Sequence, residues 1–89
     1  MKLEFTQNAW EDFEHWADND QDIFNKIRDL LRDIKKTPFT GLGKPEPLKF
    51  ELQGYWSRRI TSEHRLVYTI EGKGNQQRCI VVQCRYHYK

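Results

Sequence analysis

Cysteine is scarce in this chain. There are two in 89 residues, Cys79 and Cys84, too few for a disulfide framework. Their odd spacing within one apparent strand sends them to opposite faces. That argues against an intrachain bridge and fits reduced thiols in a cytosol. No Cys/His cluster has zinc spacing, and carboxylates do not cluster as a catalytic metal would require, so neither metal nor cofactor is expected. No apolar run approaches membrane-spanning length, and no charged-then-apolar leader opens the chain. The expectation is a soluble, cytoplasmic protein with no membrane contact. Internal repeats and low-complexity tracts are absent. All three prolines fall between Thr37 and Pro47, so the rest of the chain is open to regular structure.

What is present is charge and aromatic area. Charged residues make up 31% of the chain, and three Trp, four Tyr and five Phe compensate for sparse aliphatics because each buries a large area. A chain of 89 residues is expected to be a single domain, residues 1–89, with one modest core. The net charge of +2 hides an asymmetry. Residues through Lys36 carry nine acids and six bases, net −3; from Thr37 onward there are four acids and nine bases, net +5. A basic half suggests a polyanionic partner, most simply nucleic acid.

The order of elements reads as a strand, two helices and an antiparallel meander. Lys2 to Phe5 is a short strand. Thr6 caps a helix through about Ala17, and Asp18-Asn19-Asp20 breaks it and supplies a new cap for a second. In that second helix Ile23, Phe24, Ile27, Leu30, Leu31 and Ile34 form one apolar stripe. Asp20 and Asp22 at its start and Lys35 and Lys36 at its end match the helix dipole, and Pro38 stops it. A loop runs from Thr37 to Pro47. Strands are predicted over Leu48–Leu52, Tyr55–Ile60, Arg65–Glu71 and Cys79–Tyr86, with Gln53-Gly54 as a tight turn and 72–75 as a looser hairpin tip. The fold class is α+β: two N-terminal helices packed on one face of a mostly antiparallel, four- to five-stranded sheet, the other face open.

Strand alternation says what the open face carries. Leu66, Tyr68 and Ile70 are predicted to face the helices, as are Ile80, Val82 and Cys84. The alternates are Arg65, Val67 and Thr69, and Val81, Gln83, Arg85 and His87; by the same parity Arg59 joins them. Glu46 is held between Pro45 and Pro47, which restrain its backbone, and is flanked by Lys44 and Lys49. The ordinary reading of each is bland: a solvated loop glutamate, a salt-bridged arginine, an exposed near-terminal histidine. Together Glu46, Arg65 and His87 are a general base, an anion clamp and a general acid. That is sufficient to break a phosphodiester without a metal. His15 and His64 read as ordinary helix and turn residues.

Several stretches carry a resemblance that covers essentially the whole chain: Thr37-Pro38-Phe39, the run from Gly41 to Lys49, the run from Gly54 to Ile60, the run from Glu63 to Tyr68, and the closing Cys84-Arg85-Tyr86-His87-Tyr88. In these the chain resembles YoeB-type toxins of bacterial type II toxin–antitoxin systems, within the RelE/ParE fold group. The resemblance implies a ribosome-dependent ribonuclease that cuts mRNA in the decoding site. It implies Glu46 as base, His87 as acid and Arg65 as the phosphate-stabilising arginine. Lys49, Arg59 and Tyr88 match supporting positions, and Lys44 and Arg85 join them as expected RNA contacts. It also implies a YefM-like antitoxin partner and a homodimer. Two departures stand out: a longer hairpin tip between Glu71 and Cys79, and Lys89 after the tyrosine that usually ends such chains. The competing readings are a ParE-like inhibitor of DNA gyrase on the same fold and a non-catalytic RNA-binding domain. The first has no need of Glu46, Arg65 and His87 together; in the second the basic face simply holds phosphate.

Overall fold

Two capping side chains start the helices. Thr6 accepts the Ala9 N–H at 3.2 Å, and Asp20 accepts the Ile23 N–H at 3.1 Å; each satisfies a donor that a helix start leaves unpaired. In the computed structural model, which describes residues 1–87, strand β1 (Lys2–Phe5) leads into α1 (Gln7–Asn19) and α2 (Gln21–Lys36). There follow β2 (Glu46–Pro47), β3 (Trp56–Arg59), β4 (Arg65–Glu71) and β5 (Arg78–Gln83). The five strands form one sheet in the order β1-β5-β4-β3-β2. Only the β1–β5 pairing is parallel; β2, β3, β4 and β5 pair antiparallel in turn. Two helices against a five-stranded, mostly antiparallel sheet is the predicted architecture. Among the described residues no helix is long and apolar enough to cross a membrane.

The core lies between the helices and one sheet face. The α2 stripe contributes Ile27, Leu30, Leu31 and Ile34, α1 contributes Ala9 and Trp16, and the sheet contributes Leu66, Tyr68, Cys79 and Val81, with Ile60 and Cys84 beside it. Phe5, Trp10, Phe13 and Phe24 pack against one another with centroids 4.8–6.0 Å apart, Phe5 and Trp10 edge-on and the other pairs tilted. Such offset aromatic geometry is favoured by ring quadrupoles.

Three sequence expectations give way. First, Leu48–Leu52 is not a strand. The paired residues lie earlier, Glu46 opposite Ser57 and Pro47 opposite Trp56, and Phe50–Leu52 is a turn of 3-10 helix. The prolines explain the shift, since each forces extended backbone and a sheet edge tolerates a missing donor. Second, β5 ends at Gln83 and is bulged. Tyr68 pairs with Val81 but Val67 pairs with Gln83, so Val82 is an extra residue and the alternation inverts across it. Val81, expected on the open face, is therefore fully buried in the core, while Ile80 and Val82 are only half-buried. Third, the same bulge puts Cys79 and Cys84 on one side, not two. Both thiols are free and fully buried, and burial pushes each up to about 12, which keeps them protonated and unreactive.

The helix side of the sheet also holds a fully buried arginine, Arg58. Its guanidinium donates to the Asp33 carboxylate at 2.6 Å and to the Tyr68 hydroxyl at 3.1 Å. Further bonds reach the carbonyls of Thr37, Thr40 and Leu42 at 2.6, 2.8 and 3.1 Å. The Tyr68 hydroxyl donates onward to the Pro38 carbonyl at 2.7 Å. Asp33 also accepts the Leu42 N–H at 2.9 Å. That bond first, then the Arg58 bond, holds its carboxyl below the usual carboxylate range.

Arg58→Ala is expected to destabilise the protein by about 3–5 kcal/mol, the usual consequence of removing one partner from a buried charged network, measured by urea unfolding. A loss under 1 kcal/mol would mean the network is idle. Asp33 has a depressed folded pKa, so its contribution is complete above about pH 4, the unfolded value, and fades as pH falls through the lower folded value. The acid loss of stability should therefore be shallower in Asp33→Asn than in the parent.

Candidate active site

The helix-free face is organised in cross-strand rows. One row runs Glu46, Ser57, Val67, Gln83 across β2, β3, β4 and β5. The next pairs Arg59 directly with Arg65. Residues paired across strands share a face, so Glu46, Arg59 and Arg65 stand together on the surface opposite the helices. Between them Ser57 and Val67 are each 2% exposed. Strands lie about 4.8 Å apart and rise about 3.4 Å per residue. Glu46 and Arg65, two strands and two residues apart, are therefore about 12 Å apart at Cα, a span their side chains can close around a phosphate and its ribose.

Each candidate has its own support. Glu46 is exposed and lines an open cavity of about 520 Å³ with Lys49, Phe50 and the intervening and following residues to Leu52. Phe50 is 90% exposed with φ +57°. Lys44 is exposed and also left-handed, φ +54°. The loop before it is pinned to β3 by the Arg59 N–H, which donates to the Gly43 carbonyl at 2.7 Å. Arg65 is half-buried. Its Nη1 donates to the carbonyls of Thr61, Ser62 and His64 at 2.7, 3.4 and 3.1 Å. Carbonyls orient the guanidinium without neutralising it, so it keeps a full charge for an anion.

His87 is exposed. It lines a second open cavity, about 640 Å³, with Asn8, Asp12, Gln83, Arg85 and Tyr86. The structure thus brings Glu46, Lys49, Arg59 and Arg65 to one side of the face and His87 to the neighbouring end, with Arg65 between them. Tyr86 links the two ends, because its carbonyl accepts the Arg65 N–H at 3.0 Å. Burial raises the Asp12 carboxyl above the ordinary range, against the lowering effect of the Cys84 N–H bonded to it at 3.1 Å. Tyr88 lies outside the described residues. Among the described residues no group of three or more His, Cys, Asp or Glu side chains could hold a metal ion.

Arg85 departs from expectation. The strand has ended before it, so pleating no longer aims it. Its guanidinium lies 4.7 Å from the Tyr86 ring and 5.9 Å from the Trp16 ring, a cation–π arrangement that ties the tail to α1. Its Nε is buried without a hydrogen-bond partner among the described residues. The positive charge of the second half is also partly spent elsewhere. Arg58 is paired with Asp33, and Arg78 with Glu4 and Glu71 at 3.0 and 2.9 Å. Of the charges that remain, those of Lys44, Lys49, Arg59 and Arg65 lie near Glu46, while Lys73 sits at the β4–β5 tip.

Sequence reasoning passed over His64. Its Nδ1 accepts the Tyr86 N–H at 2.7 Å, and its ring packs edge-on against Trp16 at 4.8 Å. A histidine in a turn gives no hint of a partner 22 residues away. Gln83 was read only as an open-face residue; its amide donates to the Arg85 and Tyr86 carbonyls at 2.9 and 3.3 Å.

Comparison with known proteins bears on this arrangement. Residues 5–88 match the family described as YoeB-like toxin of bacterial type II toxin–antitoxin systems. Toxin YoeB of Streptomyces coelicolor is 50% identical over 99% of this chain and 100% of its own length; Toxin YoeB of Escherichia coli K12 is 48% identical over the same shares. A solved YoeB/ParE toxin from Agrobacterium tumefaciens superposes with a TM-score of 0.95 at 57% identity, covering 99% of this chain and 100% of that one. The toxin in a YoeB–YefM complex from Staphylococcus aureus superposes with a TM-score of 0.87 at 39% identity, covering 99% of this chain and 98% of that one.

Arg59 and Arg65 face each other across two strands, and like charges so placed destabilise a sheet. Arg59→Gln is expected to raise stability by about 0.2–1 kcal/mol at low salt, with the gain shrinking as salt screens the pair. Unfolding midpoints in dilute buffer and in molar sodium chloride measure this. A variant less stable than the parent in both would show that Arg59 has an internal partner instead.

Proposed function

The chain belongs to the YoeB-like toxin family of bacterial type II toxin–antitoxin systems, and from that premise we propose that it is a ribosome-dependent endoribonuclease that cuts mRNA in the ribosomal A site and so stops translation in the cytoplasm. The observation that carries this reading is the row structure of the helix-free face. A carboxylate, Glu46, shares that face with two directly opposed arginines, Arg59 and Arg65. Opposed cations are costly unless an anion lies between or above them, and a phosphodiester supplies one.

In the proposed reaction Glu46 takes the proton of a ribose 2′-hydroxyl. The freed oxygen attacks the adjacent phosphorus, and the bond from phosphorus to the 5′-oxygen breaks. His87 delivers a proton to that leaving oxygen. The products are a 2′,3′-cyclic phosphate and a 5′-hydroxyl, with no net change in electrons. Arg65 faces the charge that grows on the phosphoryl oxygens. Lys44, Lys49 and Arg59 hold flanking phosphates, and Tyr88 contributes beside the scissile nucleotide. Requirement for the 2′-hydroxyl makes the substrate RNA and not DNA. The cognate inhibitor is a YefM-like antitoxin that covers the basic face, in keeping with the partner named in the Staphylococcus aureus complex. A homodimer is the proposed assembly, as in the YoeB dimer from the same organism.

The test is single-turnover cleavage of mRNA on programmed ribosomes, with ribosome binding measured separately. Glu46→Gln and His87→Gln are each expected to slow cleavage on the order of a hundred- to ten-thousandfold, and Arg65→Ala by about a hundredfold or more, with binding little changed. Lys44→Ala and Arg59→Ala should weaken binding more than turnover, increasingly so at higher salt. Products ending in a 3′-hydroxyl, or normal rates in both Glu46→Gln and His87→Gln, would overturn the mechanism.

A further inference from the structure

Tyr86 adopts φ +65°, a left-handed conformation that a bulky side chain adopts only where its surroundings over-determine it. The surroundings here are specific. Its N–H donates to His64 Nδ1 at 2.7 Å. Its carbonyl accepts from the Arg65 N–H at 3.0 Å and the Gln83 side chain at 3.3 Å. One residue earlier in the tail than Arg85, the Cys84 carbonyl accepts the Trp16 indole N–H at 2.8 Å, and the Cys84 N–H donates to Asp12. His64 stands at the centre of this latch. Its ring packs on Trp16 at 4.8 Å and lies 5.9 Å from the Tyr86 ring. Its carbonyl accepts from Arg65 Nη1 at 3.1 Å and from the Ile60 N–H at 3.0 Å.

We propose that His64 is a positioning residue: its imidazole latches the turn that delivers His87 while its carbonyl orients Arg65, fixing proton donor and phosphate clamp relative to each other. This rests on the nuclease reading above. A backbone N–H can only donate, so Nδ1 carries no proton and the ring acts as an acceptor toward Tyr86. That excludes His64 Nδ1 as the donor to the leaving group and leaves it the task of orientation. His87 is the next residue after the latched Tyr86, so any relaxation of the left-handed turn moves its ring directly. A general acid must come within about 2.6–3.2 Å of the oxygen it protonates, and a misplacement of about 1 Å can cost on the order of a hundredfold in rate.

Two substitutions at His64 separate orientation from packing. His64→Phe keeps an aromatic ring against Trp16 but offers no acceptor. His64→Asn loses the ring but carries an amide oxygen near the place of Nδ1. The readouts are single-turnover cleavage at saturating programmed ribosomes, ribosome affinity, and hydrogen exchange of the Tyr86 amide by NMR. His64→Phe is expected to lose about a hundredfold in rate, keep its affinity within a few-fold and lose Tyr86 amide protection. His64→Asn is expected to recover most of both the rate and the protection. If His64→Phe does not fold, His64→Gln, whose oxygen falls near Nε2 instead, takes its place with the same expectation. A parental rate in the variant lacking the acceptor overturns the proposal, and so does a rate loss of equal size in His64→Asn with the Tyr86 amide still protected. If the parent protein itself leaves ribosome-bound mRNA intact, the nuclease reading fails, while amide exchange in the same variants still decides whether His64 forms the latch.

Discussion

The placement of the site depends on the buried guanidinium of Arg58. A fully buried cation must be paired and have its donors satisfied. Arg58 meets this by gathering groups from three segments: Asp33 near the end of α2, Tyr68 on β4, and the carbonyls of Thr37, Thr40 and Leu42 in the loop that follows α2. The loop has little apolar area of its own to bury, and Phe39 and Leu42 are each about half exposed. Its shape is therefore set by polar bonds, three of them to the Arg58 guanidinium and others to Asp33, the Tyr68 hydroxyl and the Arg59 N–H. The close approach at Gly43 completes this, since a β-carbon there would stand 2.9 Å from Leu30 Cδ2 and 3.1 Å from Arg58 Cβ, at φ +79°. Only glycine lets the backbone lie against β3 there, and Glu46 follows three residues later.

The other end of the site is anchored independently. Asp12 and Trp16 of α1 hold Cys84, and His64 holds Tyr86. The candidate base is thus fixed through α2 and the candidate acid through α1, with the sheet as the common floor. Ser57 and Val67, both buried, stand in the row between Glu46 on β2 and Gln83 on β5, with Arg59 and Arg65 in the row beyond. Electrostatics sharpens the same division. Arg78, with Glu4 and Glu71, closes its charge at the far end of the sheet, and Arg58 is closed inside. Lys44, Lys49, Arg59 and Arg65, for which no ion pair is seen among the described residues, are the cations near Glu46.

Much of this was legible because local chemistry and tertiary packing agree. The α2 stripe, both N-caps and the alternation of β4 are read directly from residue type and period, and they define which sheet face is open. Arg59 and Arg65 fall on that face for the same reason, whereas Glu46, read as a loop residue, joins them through its pairing with Ser57. The failures along β5 have a common cause. The bulge at Val82 inserts one residue into an otherwise plain run of β-formers, and nothing in Ile80-Val81-Val82 distinguishes the extra one. Val81 was consequently misplaced, the two cysteines were sent to opposite faces, and the strand was carried through Tyr86. At β2 the prolines were read as loop, although extended backbone at an edge is a strand whenever a neighbour offers the right register.

The dipeptide Arg58-Arg59 shows how far alternation alone can be pushed. In a strand with one face on the core, two consecutive arginines cannot both reach solvent. The parity that puts Arg59 on the open face requires Arg58 to point among Trp56, Leu66 and Tyr68. That leaves a buried cation with five N–H donors, and demands an acid and several oxygens within reach. Asp33, at the charged end of an otherwise apolar α2 stripe, and a proline- and glycine-rich loop with carbonyls to spare are the segments able to supply them. A partner for Arg58 was therefore deducible in kind from strand parity, whereas His64 was not. Its role follows from a backbone N–H made available by a left-handed turn, and that turn exists only once the tail has been drawn onto α1.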